Sequence, residues 1–134
     1  MRKKICLVVA NYYPEISNNL IRGASKILKL QGIKNYKVFK VPGVFELPFV
    51  IAKNINSYDA FVALGCVIKG KTPHFDFIST TAISAIMHLS ITYKKPIGNG
   101  IITCLNKKQA LNRSSVKNNK GQESAKAMLS LLEI

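Results

Sequence analysis

His74 follows Thr72 by two positions and Gly70 by four, at the end of the run Lys69-Gly70-Lys71-Thr72-Pro73. A glycine lets backbone approach a ligand, a hydroxyl and free N–H groups suit an anion, and an imidazole changes charge near neutral pH. These types in this order suit a phosphorylated substrate that also loses or gains a proton. From position alone, His74 is either a proton carrier or a capping residue.

Three further groups could do chemistry. Glu46 follows Pro42-Gly43 at a helix start. There it either favours the helix dipole or accepts hydroxyl bonds from a polyhydroxylated ligand. Tyr12 and Tyr13 follow the first apolar run, and such rings either stack on a planar ligand or pack under a loop. Arg113, Lys117 and Lys120 occupy a polar stretch near the C-terminus. That stretch is solvated surface unless it lies over a phosphate in its own or a neighbouring subunit. Gly65 to Thr72 also matches G-x-x-x-x-G-K-[ST] in form. Cys66-Val67-Ile68 continue an apolar strand rather than a phosphate loop, however. No aspartate ends an apolar strand to hold magnesium, since Asp59 precedes its strand and Asp76 opens a helix, where capping accounts for it. His88, in mid-helix, reads as a structural residue.

The elements that must position these groups alternate. Apolar runs predict strands over 4–10, 36–41, 60–68 and 97–103, the last weakened by Gly98 and Gly100. Helical spacing predicts a helix capped by Ser17 and stopped by Gln31-Gly32, one from Val44 to about Asn54 with Pro48 in its first turn, and a long one over 75–93. Short helices follow over 106–112 and 122–132, separated by a polar loop over 114–121. This alternation indicates a three-layer α/β/α sandwich with a four-stranded parallel sheet, as one domain over residues 1–134. In such sheets ligands bind outside the carboxyl ends of the strands.

Composition bounds the function. The 134 residues can bury a core, and 48% hydrophobic content argues against disorder. No apolar run is expected to reach the ~18 residues of a membrane span, and the charged start from Met1 lacks a small-residue cleavage site, so a cytoplasmic protein is expected. Cys6, Cys66 and Cys104 are far apart without metal-ligand spacing and read as buried reduced thiols. The net charge of +14 is spread through every segment without an aromatic or arginine-rich motif, which argues against nucleic acid as the partner.

Taken together, the motifs resemble the lumazine synthase family over nearly the whole chain. Val41-Pro42-Gly43-Val44-Phe45-Glu46-Leu47-Pro48 is similar to its V-P-G-[AS]-[FW]-E-[IL]-P segment. Leu64 to Asp76 is similar to its L-G-x-[VI]-[IV]-[RK]-G-x-T-x-H-[FY]-[DE] segment. Leu20-Ile21-Arg22-Gly23-Ala24 and Asn119-Lys120-Gly121 resemble its L-x-x-G-A and N-K-G segments.

The resemblance implies a flavodoxin-like fold. It also implies condensation of 5-amino-6-ribitylaminouracil with 3,4-dihydroxy-2-butanone 4-phosphate to 6,7-dimethyl-8-ribityllumazine, without metal or redox cofactor. Carried over by position, Tyr12 stacks on the pyrimidine, Val44, Phe45 and Glu46 hold the ribityl chain, and the Val67 and Ile68 backbone lines the ring. Gly70, Lys71 and Thr72 form the phosphate turn, with His74 as general base. Arg113 binds phosphate and Lys120 lies near the heterocycle, both reaching in from a neighbouring subunit of a pentamer. Riboflavin synthase is the implied protein partner. Lys71 stands where the family usually has a small residue, Tyr13 where many members have Asn, and Asn99 where many have an aromatic that covers the ring from the adjacent subunit. The loop over 114–119 is one residue shorter than a common family form, and the chain begins at the first core strand. These departures favour a pentamer or a dimer of pentamers over a sixty-subunit shell.

Overall fold

The computed structural model describes residues 3–134, so the charged start at Met1 and Arg2 lies outside the described residues. Four strands, β1 (Ile5–Ala10), β2 (Tyr36–Val41), β3 (Ala60–Ile68) and β4 (Ile97–Cys104), form one sheet in the order β2-β1-β3-β4. Every pairing is parallel, with Leu7 opposite both Val38 and Val62. β1 and most of β3 are buried on both faces, which explains their unbroken apolar sequence.

Successive side chains of β1 feed two separate cores. Ile5, Leu7 and Val9 join Leu20, Ala24 and Leu28 of helix α1 (Pro14–Leu30) and Ala125 and Met128 of helix α5 (Lys120–Leu132). Cys6, Val8 and Ala10 join Leu47 and Ile51 of helix α2 (Leu47–Lys53) and Ala82 and Ile86 of helix α3 (His74–Tyr93). A short helix α4 (Lys107–Arg113) places Ala110 against the first core. The expected α/β/α sandwich with a four-stranded parallel sheet is therefore observed, and all three cysteines are free and buried.

Several local expectations are corrected. Ser17 does not cap α1. The helix starts at Pro14, and the buried Ser17 Oγ donates to the Ala10 carbonyl at 2.6 Å, tying α1 to the end of β1. Gly98 and Gly100 do not weaken β4, because they are where α5 comes close. A Cβ at either position would collide with Ser124. α5 begins at Lys120 rather than Gln122, because the Asn119 side chain accepts from Gln122 N at 3.1 Å. Asp76 makes no capping hydrogen bond and only adds its charge to the first turn of α3. His88 is exposed, and among the described residues its one side-chain hydrogen bond is to Thr92 Oγ1 of the same helix, with Nε2 at 3.4 Å.

α3 is long and apolar enough, by length and composition, to cross a membrane, contrary to expectation. It packs one side on the sheet through Ile78, Ala82, Ile86 and Leu89 and leaves Phe77, Met87 and Ile91 exposed on the other.

Candidate active site

β1 leads through α1 to β2 on one side, and the chain then crosses to β3 on the other. The order reverses between β1 and β3, and at such a switch point the loops diverge and leave a crevice beyond the carboxyl ends. A cavity of about 680 Å³ occupies that place. The volume lies within the range of small-molecule sites.

Its walls come from the segments singled out in the sequence. Tyr12 extends from β1. Val44, Phe45 and Glu46 follow β2, and Val67 and Ile68 end β3. Gly70, Thr72 and His74 close the far side at the head of α3. Lys71 is exposed and outside the wall, so the phosphate turn is brought together only in part.

The turn after β2 is built around its own glutamate. Val44–Glu46 forms a single 3-10 turn, and Glu46 Oε1 accepts from Gly43 N at 2.9 Å. This fixes one carboxylate oxygen and leaves Oε2 without a protein partner among the described residues. Val44 and Leu47 anchor the turn in the core, whereas Phe45 is 59% exposed.

The head of α3 is set differently from the capping expectation. Pro73 is its cap residue, with no side-chain capping bond. Thr72 Oγ1 instead accepts from His74 N at 3.4 Å, a long contact. The His74 side chain is exposed and makes no hydrogen bond among the described residues, so it is not a cap. The first turn of this 20-residue helix lies beside the cavity, where an anion finds the partial positive charge of the helix start. Gly70 has open space where a Cβ would stand.

The remaining predicted residues are not in this cavity. Asn99, Arg113 and Lys120 line a second depression along β4, an edge strand, together with Ile83 of α3. Asn99 Oδ1 accepts from Ile101 N at 3.1 Å, and Arg113 Nη1 donates to the Thr103 carbonyl at 3.0 Å. Arg113 ends α4 and Lys120 begins α5, and an antiparallel bridge between Ser114 and Asn119 brings the two helix ends together. Lys117 does not line this depression.

Sequence reasoning passed over Cys66, Phe75 and Ile78 as cavity residues, and left Tyr13 between stacking on a ligand and packing under a loop. Ile78 was within reach, since it lies one turn after His74 on the same helix face. Cys66 could not be told from core, because it is 5% exposed and differs from its neighbours only by sitting at the strand end. Burial, and secondarily the Cys104 thiol, push its pKa up to about 12, so it is an inert wall and not a nucleophile. Among the described residues no three His, Cys, Asp or Glu side chains cluster as metal ligands.

Comparison with known proteins matches this arrangement. A family model described as 6,7-dimethyl-8-ribityllumazine synthase covers residues 2–134. The protein of that name from Methylorubrum extorquens (strain PA1) is 42% identical over 98% of this chain and 80% of its own length. The one from Renibacterium salmoninarum is 36% identical over 94% and 85%. The 6,7-dimethyl-8-ribityllumazine synthase 1 of Rhodopseudomonas palustris is 40% identical over 98% and 85%. With the match running through both segments that wall the cavity, the chain belongs to the 6,7-dimethyl-8-ribityllumazine synthase family.

Proposed function

We propose that this chain is a transferase that condenses 5-amino-6-ribitylaminouracil with 3,4-dihydroxy-2-butanone 4-phosphate to 6,7-dimethyl-8-ribityllumazine in riboflavin biosynthesis. One observation carries the reading: an exposed aromatic, a pinned carboxylate and an unpartnered imidazole share one cavity at the switch point of the sheet.

The roles follow from the chemistry of each group. Tyr12 stacks on the pyrimidine, whose edge runs along the Val67 and Ile68 backbone. Glu46 Oε2 accepts ribityl hydroxyls, with Val44 and Phe45 bordering the chain. The substrate amine attacks the ketone, and loss of water gives an imine. His74 removes the proton next to the imine, and the electron pair expels phosphate. Thr72, the Gly70 backbone and the α3 amides hold that phosphate, with Lys71 adding long-range charge. The enol left by that elimination tautomerises to a ketone, and attack of the ribitylamino nitrogen on it with loss of another water closes the ring.

Arg113, Lys120 and Asn99 enter the cavity of a neighbouring subunit. Their grouping in a separate depression on an edge strand supports this, as does the uncovered apolar side of α3. A pentamer or a dimer of pentamers in the cytoplasm is the assembly we infer. Mixing the protein with both substrates and following lumazine fluorescence tests the function. Product formation with matching phosphate release is expected, and a binder that makes no product would refute catalysis.

A further inference from the structure

We propose that Tyr13 is a specificity-determining residue of the cavity. Its hydroxyl hydrogen-bonds the polar edge of the bound heterocycle, and its ring holds Tyr12 in place for stacking. The inference rests on the functional reading above and assigns a role to a residue that reading does not use.

Tyr13 is the residue just before α1, and its carbonyl accepts from Ser17 N at 2.9 Å. Ser17 is itself tied to Ala10, so the Tyr13 backbone is fixed between the end of β1 and the first helical turn. Its ring is half-buried against the core, whereas Tyr12 is 70% exposed. The two rings meet edge-on, with centroids 5.0 Å apart and planes at 74°. An edge-on contact occupies at most one face of Tyr12 and leaves the other for a planar ligand. Without this contact an exposed tyrosine would turn freely about its side-chain bonds.

The Tyr13 hydroxyl is the second observation. Tyr13 lines the cavity, and its hydroxyl has no hydrogen-bond partner among the described residues. Burial first, then the neighbouring Cys66 and Tyr12, hold the phenol above its usual pKa, so it stays a neutral O–H donor. The wall on its side is otherwise apolar, formed by Cys66, Val67 and Ile68. A lone hydroxyl in an apolar wall selects a ring bearing carbonyl or N–H groups over a plain aromatic, because an analogue lacking them leaves it unpaired. Glu46 lies beyond β2 and serves a different part of the ligand.

The test compares wild type with Tyr13→Phe and Tyr13→Ala in the assembled protein, titrating 6,7-dimethyl-8-ribityllumazine by fluorescence and measuring KM, kcat and melting temperature. Tyr13→Phe keeps the ring contact and removes one hydrogen bond. We expect roughly five- to tenfold weaker binding and a matching rise in KM for the pyrimidine, with kcat and melting temperature unchanged. Tyr13→Ala loses the ring as well and weakens binding further. Equal affinity of Tyr13→Phe and wild type would overturn the role of the hydroxyl. A fall in melting temperature that accounts for the whole loss would make Tyr13 merely structural. Failure of the wild type to form lumazine would count against the functional reading and is seen separately from either result.

Discussion

The Glu46 carboxylate folds back onto the Gly43 amide, with Oε1 accepting at 2.9 Å, so a residue that lines the cavity also holds the turn that presents it. A Cβ at Gly43 would stand 3.2 Å from that same oxygen, which is why a residue without one suits the position. Glu46→Gln keeps an acceptor for the amide but loses the charge. It should weaken ribityl-ligand binding by about 2 kcal/mol, roughly thirtyfold, with little change in melting temperature. Glu46→Ala should also loosen the turn. Titration calorimetry and thermal melts on both variants separate the two effects.

The exposed His74 side chain makes no hydrogen bond among the described residues, so its removal should leave the fold alone. His74→Ala is expected to lower kcat on the order of a hundredfold while product affinity changes little. Steady-state kinetics beside a fluorescence titration checks this, and unchanged turnover would take His74 out of the chemistry.

Arg113, at the end of α4, donates to the Thr103 carbonyl of β4 while sitting in the depression along that strand. Arg113→Ala should raise KM for the phosphorylated substrate about tenfold, the loss of one charge-assisted contact. Mixing dissociated Arg113→Ala and His74→Ala subunits and reassembling them should, at substrate concentrations well below KM, give more activity than either variant alone. Mixtures no better than their parents would place both residues in one subunit's site.

Gly98 and Gly100 let α5 lie against β4 at backbone distance. Gly98→Val must displace the Ser124 carbonyl and should destabilise the protein by about 2 kcal/mol. Denaturant unfolding measures the change, and a null result would mean α5 moves away at no cost.

Burial raises the Cys66 thiol from 9.0 to about 12, with Cys104 adding to the shift. Burial does the same to Cys6, where Lys37 pulls in the opposite direction. A thiol whose folded pKa exceeds its unfolded one holds its proton more tightly when folded. Its contribution is complete below pH 9 and is lost as pH rises toward 12. Melting temperature should therefore fall above pH 9, and less steeply in the double variant Cys6→Ala/Cys66→Ala. Parallel slopes would show that other groups govern the alkaline limb.

Much of the architecture was legible because β1 and β3 are buried on both faces and their sequences carry no polar interruption. The cavity was legible for a related reason. Residues that follow a strand at the sheet's carboxyl end converge wherever the strand order reverses. Ser17 misled because a serine near a helix start looks the same whether it caps the helix or bonds a strand carbonyl. Gly98 and Gly100 misled because a glycine's weakness as a strand former is local, whereas its value here lies in a helix distant in sequence. The separation of Arg113 and Lys120 from His74 was implied only by the family resemblance, since charge and spacing do not say which edge of the sheet a loop returns to.

The two depressions of one chain have a consequence for how activity relates to assembly. In the assembly proposed above, where the depression along β4 completes the cavity of a neighbouring copy, copies join head to tail. An open row of such copies always wastes a half at each end, whereas a closed ring wastes none. Ring closure, and not folding, then sets the number of working sites per chain. Specific activity should depend on protein concentration, falling on dilution well before any chain unfolds.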